Sequence, residues 1–152
     1  MAVSPTMTRA EREAFLAGVH LGILSVADPG HGPLTVPVWY SYAPGSTIDI
    51  VTGGTSRKAR CLRAAGRFSL CAQTEEAPYR YVSVEGPISA TRSTVTADER
   101  RALAYRYLGP EFGELYLAAT EGDAAASVLF SMSPERWLSS DYAKQFGGGS
   151  SG

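Results

Sequence analysis

The chain has 152 residues, 44% of them hydrophobic and 19% charged, which is the size and balance of one globular domain with room for a core. A formal net charge of -1 excludes the basic excess of a general nucleic-acid binder. No apolar run reaches the roughly 18 residues of a spanning helix, and the start Met1-Ala2-Val3-Ser4-Pro5 lacks the layout of a secretory signal, so a cytoplasmic protein is expected.

Thr8 to Gly18 reads as a first helix, because Thr8 and Glu11 have capping-box spacing and Phe15 with Leu16 begins an apolar face. Val19 to Ala27 is strand-like and runs into the turn Asp28-Pro29-Gly30-His31-Gly32-Pro33. Leu34 to Tyr42 and Ile48 to Thr52 are further strands, divided by Ala43-Pro44-Gly45-Ser46. Their connections are too short for crossovers, which predicts a three-stranded antiparallel meander. A helix follows from Ser56 to about Ala65, then strands at Phe68 to Gln73 and Arg80 to Ala90. Gly86-Pro87 interrupts the second of these and suggests a bulge or a barrel corner. Thr96 and Glu99 open another helix, which should stop at Gly109-Pro110 before a helical segment from Glu111 to Thr120. Val128 to Met132 and Trp137 to Ser140 read as closing strands.

Six or seven short antiparallel strands with helices beside them predict a mainly β, α+β domain curled into a small barrel. Residues 1–146 form one domain, and Gly147 to Gly152 has the composition of a linker or a fusion scar. Cys61 and Cys71 have no CxxC partner or neighbouring histidine, and His20 and His31 stand in a strand-like run and a turn, so no metal site is expected. No nucleophile stands with a base, and no catalytic residue is named.

The most informative stretch is Gly53-Gly54-Thr55-Ser56-Arg57-Lys58-Ala59-Arg60. A helix start is already positive, and each cation in its first turn costs roughly 0.3–1 kcal/mol. Arg57, Lys58 and Arg60 therefore point to a bound anion, with a phosphate as the natural candidate. The alternative is a solvated basic helix end. Pro37 within a strand is open to two readings as well, an edge proline or a place where a carbonyl is left free.

Several segments together resemble the flavin/deazaflavin oxidoreductases of the split β-barrel fold, the pyridoxamine-phosphate-oxidase-like superfamily with its FMN-binding-like barrel. They are Gly22 to Ala27 with Leu34 to Tyr40, Ser56 to Arg63 continuing to Arg67-Phe68-Ser69-Leu70, Tyr81 to Gly86, and Ser133 to Trp137 ahead of Asp141-Tyr142. Val-Pro-Val-Trp-Tyr and the Arg-Lys-Ala-Arg helix start are similar to the actinobacterial branch that binds the deazaflavin coenzyme F-420, whereas the C-terminal arginine motif of the vitamin B6 oxidases is missing. FMN stays open as the alternative cofactor.

The resemblance implies a homodimer with the cofactor between protomers and a small-molecule electron acceptor, without nucleic acid or membrane. Arg57, Lys58 and Arg60, helped by Ser56, would hold its phosphodiester. Val36, Pro37, Val38 and Trp39 would run beside the ring, with Thr52, Gly53 and Gly54 at the ring or ribityl side. Trp137 and Tyr142 would lie near the partner's cofactor. The implied activity is hydride transfer from reduced coenzyme F-420 to a quinone, tetrapyrrole or nitroaromatic. A non-catalytic carrier on the same site is the rival reading.

Overall fold

The structure is a computed structural model that describes residues 3–146. The expected tail at 147–152 and the first two residues of the chain lie outside the described residues.

The two capping boxes form as spaced. Thr8 accepts from the Glu11 N–H and Glu11 returns a bond to the Thr8 N–H, opening α1 (Arg9–Ala17). After α1 the chain forms β1 (Gly22–Val26), β2 (Leu34–Val38), β3 (Ile48–Gly53), α2 (Arg57–Ala65), β4 (Arg67–Gln73) and β5 (Arg80–Arg92). α3 (Ala97–Ala119) starts from the same box at Thr96 and Glu99. A 3-10 turn (Glu121–Ala126), β6 (Ser127–Met132), β7 (Arg136–Asp141) and a short α4 (Ala143–Phe146) complete the order.

The strands make one curled antiparallel sheet in the order β2-β1-β4-β5-β6-β3, with β7 also on β5. Alternation sorts the sheet into two faces. Val36, Leu24, Leu70, Val84 and Trp137 stand opposite one another across five strands and point into the core. The next row, Pro37, Ile23, Cys71, Ser83 and Leu138, points outward. Inside the curl, Ile48, Ile50, Phe130 and Met132 are almost completely buried with Leu16 and Leu62, so α1 and α2 plug the barrel with one apolar face each.

Gly86-Pro87 marks a corner of the barrel. β7 pairs with β5 as far as Glu85, β6 takes over from Ile88, and the register shifts between Ile88 and Ala90. The connection from β6 to β7 crosses there so closely that a Cβ on Gly86 would lie 1.8 Å from the Ser133 carbonyl oxygen. Only glycine fits under that crossing.

The expected meander does not close. β1 pairs with β2, but β3 pairs with β6, and a single bridge between Ser41 and Asp49 joins the two ends of the sheet. Tyr107 on α3 acts at the other edge of β2, where it takes the rung after Gly22–Val38 that would continue the β1–β2 ladder. Its hydroxyl accepts from the Tyr40 N–H at 3.1 Å and lies 3.1 Å from the Tyr40 carbonyl and 2.7 Å from that of His20. A side chain thus satisfies backbone groups that a neighbouring strand would otherwise pair. β2 ends at Val38, short of the expected Tyr42, and His20 lies ahead of β1, stacked on Phe15 at 4.3 Å.

α3 breaks at Gly109, whose φ of 77° and ψ of 173° belong to a region open essentially to glycine. The limbs 97–108 and 110–119 fold back on each other. Gly113 sits against Tyr105, Glu114 reaches Arg101 and Tyr105, and Arg100 reaches Thr120. The stop expected at Gly109-Pro110 is therefore the turn of a helical hairpin. No helix among the described residues is long and apolar enough to cross a membrane.

Candidate functional site

A cavity of about 650 Å³ lies where the ends of the sheet fail to join. One wall is Pro37, Val38 and Trp39 from the end of β2, and the facing wall is Val51, Thr52 and Gly53 from β3. Lys58 enters from the start of α2, Arg100, Leu103, Tyr116 and Thr120 come from both limbs of α3, and Asp123 and Ala126 come from the 3-10 turn. Its volume is that of a small-molecule or cofactor site.

The turn into α2 is held from several sides. The Gly54 N–H donates to the Ala126 carbonyl at 2.7 Å, and Arg63 Nη1 donates to the Gly54 carbonyl at 2.6 Å. Ser56 is the N-cap: its hydroxyl accepts from the Ala59 N–H at 3.1 Å, donates to the Gly53 carbonyl at 2.7 Å and lies 3.2 Å from the Thr52 hydroxyl. A Cβ on Gly53 would meet nothing within 4 Å, so bare backbone faces the open cavity at that point.

The three cations of the helix start part company. Lys58 is half-buried in the cavity wall and forms no ion pair among the described residues. Arg57 pairs with Asp28, and that charge-assisted hydrogen bond lowers the carboxyl pKa and raises that of the guanidinium. Arg57 and Arg60 line a separate cavity of about 470 Å³ with Asp28, His31 and Cys61. The first turn of α2 contains no acidic residue, so Asp28 supplies from the preceding loop part of the negative charge that a helix start favours.

Trp39 forms the aromatic side. It stacks on Tyr107 with ring centres 5.1 Å apart and the planes within 5°, and meets Tyr116 at 4.9 Å and 53°. Tyr40 is fully buried, donates to the Leu16 carbonyl at 2.7 Å, and has its phenol pKa pushed up by burial. Its hydroxyl belongs to the core.

Of the residues expected at a cofactor, Pro37, Val38, Trp39, Thr52, Gly53 and Lys58 meet in the cavity, with Gly54 beside them. Val36 and Trp137 belong to the inward row; Trp137 packs edge-on near Tyr42 at 6.3 Å beneath the Arg12 guanidinium at 4.7 Å. Ser56 is spent on its cap, and Arg57 and Arg60 face the neighbouring cavity. Sequence reasoning missed Arg100, Leu103, Tyr116 and Asp123. The signal available for α3 was helical spacing, Arg100 with Leu103 on one limb and Tyr116 with Thr120 on the other, and spacing alone does not tell a cavity wall from a core face. Among the described residues no group of three or more His, Cys, Asp or Glu side chains is placed to hold a metal.

No protein-family model matches the chain, and no curated protein sequence matches it. Solved structures do. An F420 reductase superposes with a TM-score of 0.71 at 22% identity, covering 83% of this chain and 94% of its own. The conserved hypothetical protein Rv2991 from Mycobacterium tuberculosis gives 0.72 at 23% identity, with 100% and 96% covered. An FAD-binding protein from Mesorhizobium loti gives 0.60 at 18% identity, with 88% and 94% covered. An open seven-stranded curl with a cavity at its seam, superposable on these proteins along most of its length, has the fold of the split-barrel flavin/deazaflavin oxidoreductase superfamily.

Proposed function

We propose that the protein is an oxidoreductase that transfers a hydride from reduced coenzyme F-420 to an unsaturated organic acceptor such as a quinone, a tetrapyrrole or a nitroaromatic. The observation that carries the reading is the seam cavity, in which unpaired Lys58, the bare backbone of Gly53 and the Trp39 wall converge. Lys58 supplies a compact charge for a phosphodiester. Gly53 and Thr52 offer close backbone approach on the β3 side, and Pro37, Val38 and Trp39 form an apolar wall for a flat ring. When bound, the deazaflavin supplies the hydride chemistry; the protein's part is to hold the ring, orient the acceptor and exclude water. The likeness to an F420 reductase supports this cofactor, and the likeness to an FAD-binding protein keeps a flavin, FMN above all, as the alternative. A non-catalytic carrier on the same site is the second reading, since the Lys58 charge and the Trp39 wall account for binding alone.

We also propose a homodimer of the barrel domain, residues 1–146, working in the cytoplasm. The outward row from Pro37 to Leu138 supports it: Leu138 is 64% and Ile23 38% exposed in a row whose other members, Pro37, Cys71 and Ser83, are small, and Pro37 carries that row to the cavity edge. A partner there would close the open side of the site, and exposed Tyr142 would then bear on the partner's cofactor, whereas Trp137 stays in the core of its own barrel.

Parallel titrations of cofactor-free protein with coenzyme F-420 and FMN, read by fluorescence and calorimetry, test the reading. Selective deazaflavin binding, followed by turnover with a quinone, is the expected result. FMN preference would move the protein to flavin chemistry, binding without turnover would make it a carrier, and binding of neither would remove the cofactor from the site.

A further inference from the structure

The seam cavity holds two cations from unrelated elements. Lys58 enters from α2, and Arg100 enters from the first limb of α3. The arginines near Arg100 in sequence or on the same helix are spent on partners. Arg92 pairs with Glu99, Arg101 with Asp98 and Glu114, and Arg106 donates to the carbonyls of Ala17 and Gly18 at the end of α1. Arg100 has no carboxylate partner among the described residues. Its bonds are from one terminal nitrogen, Nη2, to the Thr120 hydroxyl at 3.1 Å and carbonyl at 3.4 Å. Those bonds tie the end of the second limb to the first and fix the guanidinium on the wall. A guanidinium carries five N–H donors, so Nε and Nη1 remain for a ligand. Leu103, one turn along on the same face, and Tyr116 on the facing limb supply apolar surface beside it. Asp123 is the one acidic residue of the lining; it is exposed, and the lining as a whole stays one charge positive.

We infer that Arg100 is a specificity residue, and that the acceptor taken by this cavity is a planar aromatic acid, its carboxylate on Arg100 and its ring against Leu103, Tyr116 and Trp39. With Nη2 held by Thr120, the guanidinium is fixed on the wall and its remaining N–H groups give a carboxylate a charge-assisted hydrogen bond from a set direction, whereas a lysine is a flexible point charge. Lys58 on the α2 side is left for a phosphate, so the two anionic groups do not compete. The inference rests on the oxidoreductase reading only in taking the ligand at this wall as the acceptor.

The test uses a redox-silent pair, 2-naphthoate and 2-naphthamide, titrated calorimetrically into the full chain without cofactor. Wild-type protein should bind the acid at least tenfold more tightly than the amide. Arg100→Gln should bring that ratio below about threefold while amide affinity stays the same, and Lys58→Gln should preserve it. Equal binding of acid and amide by the wild type would overturn the inference. So would a preference lost in Lys58→Gln and kept in Arg100→Gln. If Arg100→Gln does not fold, Arg100→Lys keeps the charge without the planar guanidinium fixed by Thr120: a several-fold fall in the ratio supports the assignment, and an unchanged ratio removes it. Repeating the wild-type titration with coenzyme F-420 or FMN bound separates the two proposals. An acid preference without cofactor binding would sink the oxidoreductase reading alone, and cofactor binding without acid preference would sink this inference alone.

Discussion

At the scale of single residues, Arg57, Lys58 and Arg60 show what a run of like charges conceals. Arg57, Arg60, Cys61 and Ala64 all line the smaller cavity, and their spacing of three and four is one stripe of a helix. Lys58, 100° round from Arg57, faces the seam instead. The sequence showed that an anion site could lie here, and helix periodicity, already legible, could have divided the three. The partner of Arg57 was not legible, because Asp28 lies in another loop. Lys58→Ala should therefore weaken cofactor binding at least tenfold, or about 1.4 kcal/mol. Arg57→Ala should change it less than threefold, since its charge is already answered by Asp28. Fluorescence titration of both variants checks this, and the reverse order of effects would return the phosphate to Arg57.

At the scale of elements, the helices and most strands were readable because their signals are local: Thr8 with Glu11, Thr96 with Glu99, and Ser56 ahead of the basic helix. Strand pairing was not, because β3 finds its partner in β6, far along the chain, and Tyr107 on α3 ends the β1–β2 ladder. α3 deserves a pH test. The bidentate hydrogen bond from Arg92, aided by the Thr96 N–H, lowers the Glu99 pKa from 4.5 to about 2. A carboxylate held lower in the folded state contributes stability that is fully present above pH 4.5 and is lost as the pH falls toward 2. Because the pair lies at the surface, where water screens it, the effect should be small. Urea unfolding at pH 6 and pH 3 should show Glu99→Gln losing less stability between the two than wild type does; equal losses would mean the ion pair does not persist in solution.

At the scale of the whole molecule, the cross-strand rows explain why two expected site residues lie away from the cavity. Val36 and Trp137 alternate with Pro37 and Leu138, and one register sends the first pair inward and the second outward. Sequence patterning showed the strands but not which of their faces would be wrapped inside a curl. The outward row carries the dimer proposal. Leu138→Arg would place a charge at its far end and should raise the dimer dissociation constant at least tenfold, about 1.4 kcal/mol. Sedimentation at several concentrations reads this directly, and an unchanged association state would put the dimer face elsewhere.

The single bridge at Ser41 and Asp49 has a mechanical meaning. A sheet fastened through one rung is a cuff and not a ring, so the two lips of the seam are joined more weakly than any other neighbouring strands in the barrel. The cavity spans those lips, with Trp39 on one and Gly53 on the other. A ligand long enough to reach both would take the place of the rungs that the backbone leaves out.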